Sequence, residues 1–163
     1  MWHRVPVDPV LAAVSAFGVS VVSAVTQVVP IEAYLAGLGL VGGGVGLWLV
    51  ATLAGVGHAV GKLAWYEVGV AAHRSQRFRD WLERPRVKAS YTRWLAAFER
   101  RPRLVLVMVL ASALTGLPPL AVAPTIAGQL RAGRWATVTC IAVGRTLRFA
   151  VLLGAVALVV DLA

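Results

Sequence analysis

Apolar positions along this chain gather into two long blocks, residues 9–72 and 104–163, separated by a basic polar segment, 73–103. A helix needs about 20 mostly apolar residues to cross a bilayer, so the blocks have room for roughly four passes, or for a mixture of passes and half-passes. Ten-residue segments of alternating polarity, the mark of a membrane β-barrel, are absent from the sequence. The pattern therefore predicts an all-α polytopic membrane protein. Its first block is cut at Pro30 and again at "GLGLVGGGVG", residues 37–46, because proline removes a backbone donor and clustered glycines permit tight turns. These cuts predict a hairpin near 28–43. Residues 45–69 then read as one long helix, with Gly57 and Gly61 four apart on a face suited to close helix packing.

The second block opens with 27 uncharged residues between Arg103 and Arg131, interrupted by Gly116, Pro118, Pro119 and Pro124. Both flanks are basic and both favour the cytoplasmic side. A segment that begins and ends on one side dips in and returns, which predicts a re-entrant hairpin over 104–130 with its turn near Gly116–Pro119. Broken backbone at that depth needs cover from protein or a water-lined cavity. A last helix over about 134–160 completes the chain. The blocks echo each other. Pro30 precedes Trp48, Gly57-His58 and Lys62, as Pro118 precedes Trp135, Gly144-Arg145 and Arg148; the Trp-to-Gly spacing is nine in both. The expected organisation is a single membrane domain, 1–163, built as a pseudo-repeat with two proline-broken hairpins, a pattern that points to a transport site between repeats.

Composition strengthens the membrane reading, with 59% hydrophobic and 14% charged residues, where soluble domains carry about 25% charged ones. The net charge of +9 would suit a nucleic-acid binder, but ten of the sixteen Lys and Arg residues lie between Arg74 and Arg103. That placement is the signature of a cytoplasmic loop, and no nucleic-acid partner is expected. Within the loop, Phe78, Trp81 and Leu82 share one helical face, and Tyr91, Trp94, Leu95 and Phe98 share another. Two short helices lying on an anionic leaflet fit this spacing, as does a basic loop with aromatic anchors. The apolar stretch after "MWHR" is long for a secretory leader and is read as a retained membrane segment. Cys140, the single cysteine, is read as a small packed side chain.

Ionisable residues inside the apolar runs are Glu32, His58, Lys62, Glu67, Arg145 and Arg148. Each charge at a membrane centre costs about 2.5–3.5 kcal/mol on insertion scales, so such groups pair or line a wet path. Glu32 follows a helix breaker, where a carboxylate either caps the new helix or faces a cavity and binds a proton or cation. Arg145 and Arg148 lie three apart and suit phosphate or carboxylate in bidentate geometry, with Glu32 as one available counter-ion. His58 and Lys62 share a face and are candidate polar partners. Glu67 stands near a helix end and is expected at the interface. No His/Cys/carboxylate cluster suggests a metal, no cofactor motif appears, and no nucleotide loop or nucleophile elbow points to an enzyme.

Three segments resemble the DedA family, also called the VTT or SNARE-associated domain family, in its short bacterial members. "VVPIEAYLAGLG" looks like the family's first hairpin, with Pro30 and Glu32 in place. "GVGHAVGKLAWYEVG" is similar to its glycine–tyrosine–glycine motif through Gly57, Gly61, Tyr66 and Gly69. "LPPLAVAPTIAGQLRAGRWATVTCIAVGRTLRF" looks like the second hairpin and final helix, with Gly128, Trp135, Gly144, Arg145 and Arg148 in order. Lys62 and Val70 depart from the pattern, and "TGLPPL" replaces the charged residues typical near the second hairpin, leaving Glu32 as the hairpin acid.

The resemblance implies translocation of a phosphate-bearing lipid, such as undecaprenyl phosphate or phosphatidylethanolamine, in a cell membrane. Glu32 would be the proton-coupling or transport residue, and Arg145 and Arg148 the phosphate ligands. Two other classes remain open: a non-transporting scaffold acting through its basic loop, and a proton-coupled small-molecule exporter. A homo-oligomer is compatible with so short a chain.

Overall fold

The computed structural model describes residues 8–42, 46–72, 74–76, 80, 96, 98, 101–116 and 122–162. Regular structure among them is helical: α1 (Pro9–Thr26), α2 (Ile31–Gly42), α3 (Leu47–Ala72), α4 (Pro102–Thr115), α5 (Val122–Gln129) and α6 (Arg134–Leu162). Three stretches, Pro9–Thr26, Leu47–Ala72 and Arg134–Val160, are long and apolar enough to cross a membrane.

The order helix, shorter helix, long helix occurs twice. Both α1 and α4 start with a proline in the first turn, and each ends on a residue in the left-handed region, Gln27 at φ 58° and Gly116 at φ 85°. Trp48 and Trp135 each stand second in a long helix, and both are well exposed.

Local chemistry sets the boundaries of the first hairpin. Asp8 caps α1, its Oδ1 accepting from the amides of Val10 (2.8 Å) and Leu11 (3.4 Å). Gln27 closes the helix, its amide donating to the Ser23 carbonyl at 2.8 Å. The Ser23 hydroxyl then donates to the Val29 carbonyl at 2.6 Å and pins the turn. Pro30 ends the turn, and its carbonyl accepts from Ala33 and Tyr34 as α2 begins. Residues 31–42 form one continuous helix, so the expected hairpin near 28–43 is instead α1 and α2 joined by the turn at 27–30. Gly37 is exposed on α2, and Gly39 is buried against Val156 and Leu153 of α6. Neither glycine breaks the helix.

Two compact units divide the chain, Met1–Lys62 with Ile141–Ala163, and Leu63–Cys140. The boundaries fall inside α3 and α6, so the compact units differ from the sequence halves 9–72 and 104–163. In the first unit the core is made of Ala12, Ala13 and Ala16 of α1, Ile31 and Leu35 of α2, Val50, Ala51 and Ala54 of α3, and Phe149, Ala150 and Leu153 of α6. A Cβ on Gly57 would meet the Phe17 carbonyl, one on Gly61 would meet Ala24 and the Val21 carbonyl, and one on Gly55 would meet Thr146. Glycines thus let α3 approach α1 and α6 at backbone distance.

The second unit uses the same device. A Cβ on Gly69 would strike the Thr125 carbonyl, and one on Gly128 would strike the Tyr66 carbonyl. Thr125 donates to the Trp65 carbonyl at 3.3 Å, and the Tyr66 hydroxyl donates to the Ala132 carbonyl.

The distribution of side-chain size is that of a protein solvated by hydrocarbon. The buried residues of α1 are all alanine or serine, while Val10, Leu11, Val14, Val22 and Val25 face outward. Exposed large apolar side chains also run along α3 and α6, including Val56, Val60, Val68, Val143, Val151 and Leu158. In water such continuous apolar surface would drive association, whereas lipid favours small residues at helix contacts and bulky ones outside. The chain is accordingly read as a membrane protein.

Of the loop residues singled out in the sequence, Phe98 is buried. Phe78, Trp81, Leu82, Tyr91, Trp94 and Leu95 lie outside the described residues, as do Pro118 and Pro119.

Candidate functional site

Pro30 starts α2 so that Glu32 falls in its first turn. On α6, Arg145 and Arg148 are three residues apart and project to the same side. Both reach the same carboxylate oxygen: Glu32 Oε1 lies 3.2 Å from Arg145 Nη1 and 3.6 Å from Arg148 Nη2. The arginine side chains differ in environment, Arg145 being 8% exposed and Arg148 32%. Glu32 is 38% exposed, so the triad has an inner, dry end at Arg145 and an outer end at the carboxylate.

Phe149 forms the floor of the inner end. It is fully buried, with the Arg145 guanidinium carbon 5.7 Å from its ring centroid, within the range of a cation–π contact. The His58 ring meets the same phenyl ring edge-on, at 6.1 Å and 78°. Both ring nitrogens of His58 and the Nε of Arg145 are buried without a hydrogen-bond partner. The charges acting on His58 are those of Arg145, Lys62 and Arg148.

Lys62 is directed elsewhere. Its ammonium is buried and donates to the Ala24 carbonyl at 2.8 Å, in the last turn of α1, where a cation complements the free carbonyls and the helix dipole. The candidate polar partners therefore separate: His58 belongs to the arginine cluster, and Lys62 caps α1.

The remaining sequence candidates serve packing. Gly57 and Gly61 seat α1, Gly69 and Gly128 make the contact between α3 and α5, and Gly144 is buried in α6. Tyr66 anchors the turn after α5 through Ala132. Glu67, expected at an interface, pairs with Arg134 at 2.7 Å, both half-exposed.

Sequence reasoning did not find Phe149, whose position four residues after Arg145 was the available signal. It also missed the buried hydroxyls of Ser20 and Thr137, which lack partners. Among the described residues, no three His, Cys, Asp or Glu side chains come together as metal ligands. Two guanidinium groups on one carboxylate oxygen are chemistry suited to an oxyanion. No family model, no characterised protein and no solved structure matches the chain.

Proposed function

We propose that this chain is a multi-pass membrane transporter that moves a phosphate-bearing lipid between leaflets, as its likeness to the DedA motifs implies. The observation that carries the reading is one carboxylate shared by two arginines, inside helices whose outer faces are valine, leucine and tryptophan. Guanidinium groups match phosphate in planar, bidentate geometry. Glu32 then acts as a resident stand-in for the substrate. When a lipid phosphate enters, it displaces the carboxylate from Arg145 and Arg148, and when it leaves, Glu32 returns and covers the charges. Protonation of Glu32 would free the arginines in the same way, which provides a route to proton coupling.

The hairpin α4–α5 is the proposed re-entrant element. At about 21 Å and 12 Å, α4 and α5 are each shorter than the roughly 30 Å of hydrocarbon. Basic residues mark both ends of the pair, Arg101 and Arg103 at its start and Arg131 and Arg134 after it, which favours dipping in and returning. The same rule puts residues 74–103 on the cytoplasmic side of a cell membrane, against an anionic leaflet.

The test is translocation of labelled lipids in proteoliposomes, with wild type and Glu32→Gln compared with and without a pH gradient. Gradient-dependent transport that the substitution abolishes supports the coupling role. Transport unaffected by the substitution removes Glu32 from the cycle, and absence of any lipid movement by folded protein removes the transporter reading.

A further inference from the structure

We infer that His58 and the Nε edge of Arg145 form an inner oxyanion site on the contact between α3 and α6, behind the Glu32 ion pair. The inference deepens the lipid-phosphate reading and rests on it only for the identity of the anion's carrier. His58 is 4% exposed and Arg145 7%, yet both ring nitrogens of His58 and the Nε of Arg145 lack a hydrogen-bond partner, and both side chains lie against the same Phe149 ring. A buried donor without a partner forfeits about 1–3 kcal/mol and calls for a group that satisfies it. Glu32 does not supply that group, because its Oε1 meets the terminal nitrogens of the arginines.

Charge selects the chemistry of the missing group. Arg145 and Arg148 of α6 and Lys62 of its own helix bear on His58. A neutral imidazole offers one N–H donor, and Arg145 Nε–H offers a second. An oxyanion bridging the two satisfies both and is attracted by those cations. A metal cation would be repelled by them. A phosphate arriving at Glu32 therefore has a second, drier position to occupy, between Arg145 and His58, with Phe149 as an apolar wall.

The experiment uses purified protein in detergent with ¹⁵N-labelled histidines. The His58 resonances are assigned by their loss in His58→Gln. The probes are inorganic phosphate and a short-chain phosphatidic acid, titrated separately. Saturable movement of the His58 ring resonances is expected. A response to both probes, or to the lipid alone, establishes an oxyanion site that accepts head groups. A response to inorganic phosphate alone establishes the site while contradicting the lipid-carrier reading, so the two ideas fail separately. No movement with either probe overturns the inference. The affinity of the responding probe, read by calorimetry, is expected to fall about tenfold or more in His58→Leu, the range of a hydrogen bond to a charged group, and to be retained in large part in His58→Gln. Unchanged affinity in His58→Leu also overturns it. The spectral titration of the wild type needs no variant to fold.

Discussion

Glu32→Gln and Arg145→Gln remove opposite ends of one ion pair, yet the structure predicts unequal costs. Without Glu32, a guanidinium that is 8% exposed loses its carboxylate and stays among Arg148 and Lys62. Stripping a buried charge of its partner costs about 3–5 kcal/mol, and the 38% exposure of Glu32 reduces this to roughly 2–3 kcal/mol. Without Arg145, the carboxylate keeps Arg148 at 3.6 Å and keeps its contact with solvent. That loss is about 1 kcal/mol, the worth of a partly exposed pair together with a cation–π contact. The double variant should then cost less than the sum of the singles by about 1–2 kcal/mol. Reversible unfolding from mild detergent into dodecyl sulfate, followed by far-ultraviolet dichroism, measures all three. Arg145→Gln proving as costly as Glu32→Gln, or strict additivity in the double variant, would refute the description of a buried cation held by a half-exposed acid.

Other expectations follow from the packing. Gly128→Ala drives a methyl group into the Tyr66 carbonyl and should cost about 1–3 kcal/mol in the same unfolding assay. Gly18→Ala and Gly37→Ala meet nothing within 4 Å and should be neutral or stabilising by up to about 1 kcal/mol. Lys62→Met should speed hydrogen exchange of the amides in the last turn of α1, because the Ala24 carbonyl loses its cation. Spin labels at Val14→Cys and Leu158→Cys, introduced after Cys140→Ser, should be more accessible to oxygen than to a water-soluble nickel chelate in liposomes. The opposite ratio at both positions would contradict lipid exposure of these faces.

The sequence revealed the long helices because an unbroken apolar run sets their length: 45–69 and 134–160 were expected, and Leu47–Ala72 and Arg134–Leu162 are found. It misplaced the first hairpin because glycine has two uses. Gly39 serves close approach to Val156 within an intact helix, while the actual turn uses Gln27, which enters the left-handed region without being glycine. Of the site, the pairing of Glu32 with Arg145 and Arg148 was legible, since few charges are available in such a chain and each needs a partner. The partners of His58 and Lys62 were not. One is a phenyl ring from α6 and the other a backbone carbonyl of α1, and neither contact follows from the composition or periodicity of α3.

The most direct test of the account is translocation of a lipid phosphate by purified protein in liposomes, with wild type set against Arg145→Gln/Arg148→Gln shown to be folded. The account predicts movement of the labelled lipid above protein-free vesicles, and its loss when both guanidinium groups are gone. Equal movement by the wild type and the double variant would contradict the claim that these arginines carry the phosphate.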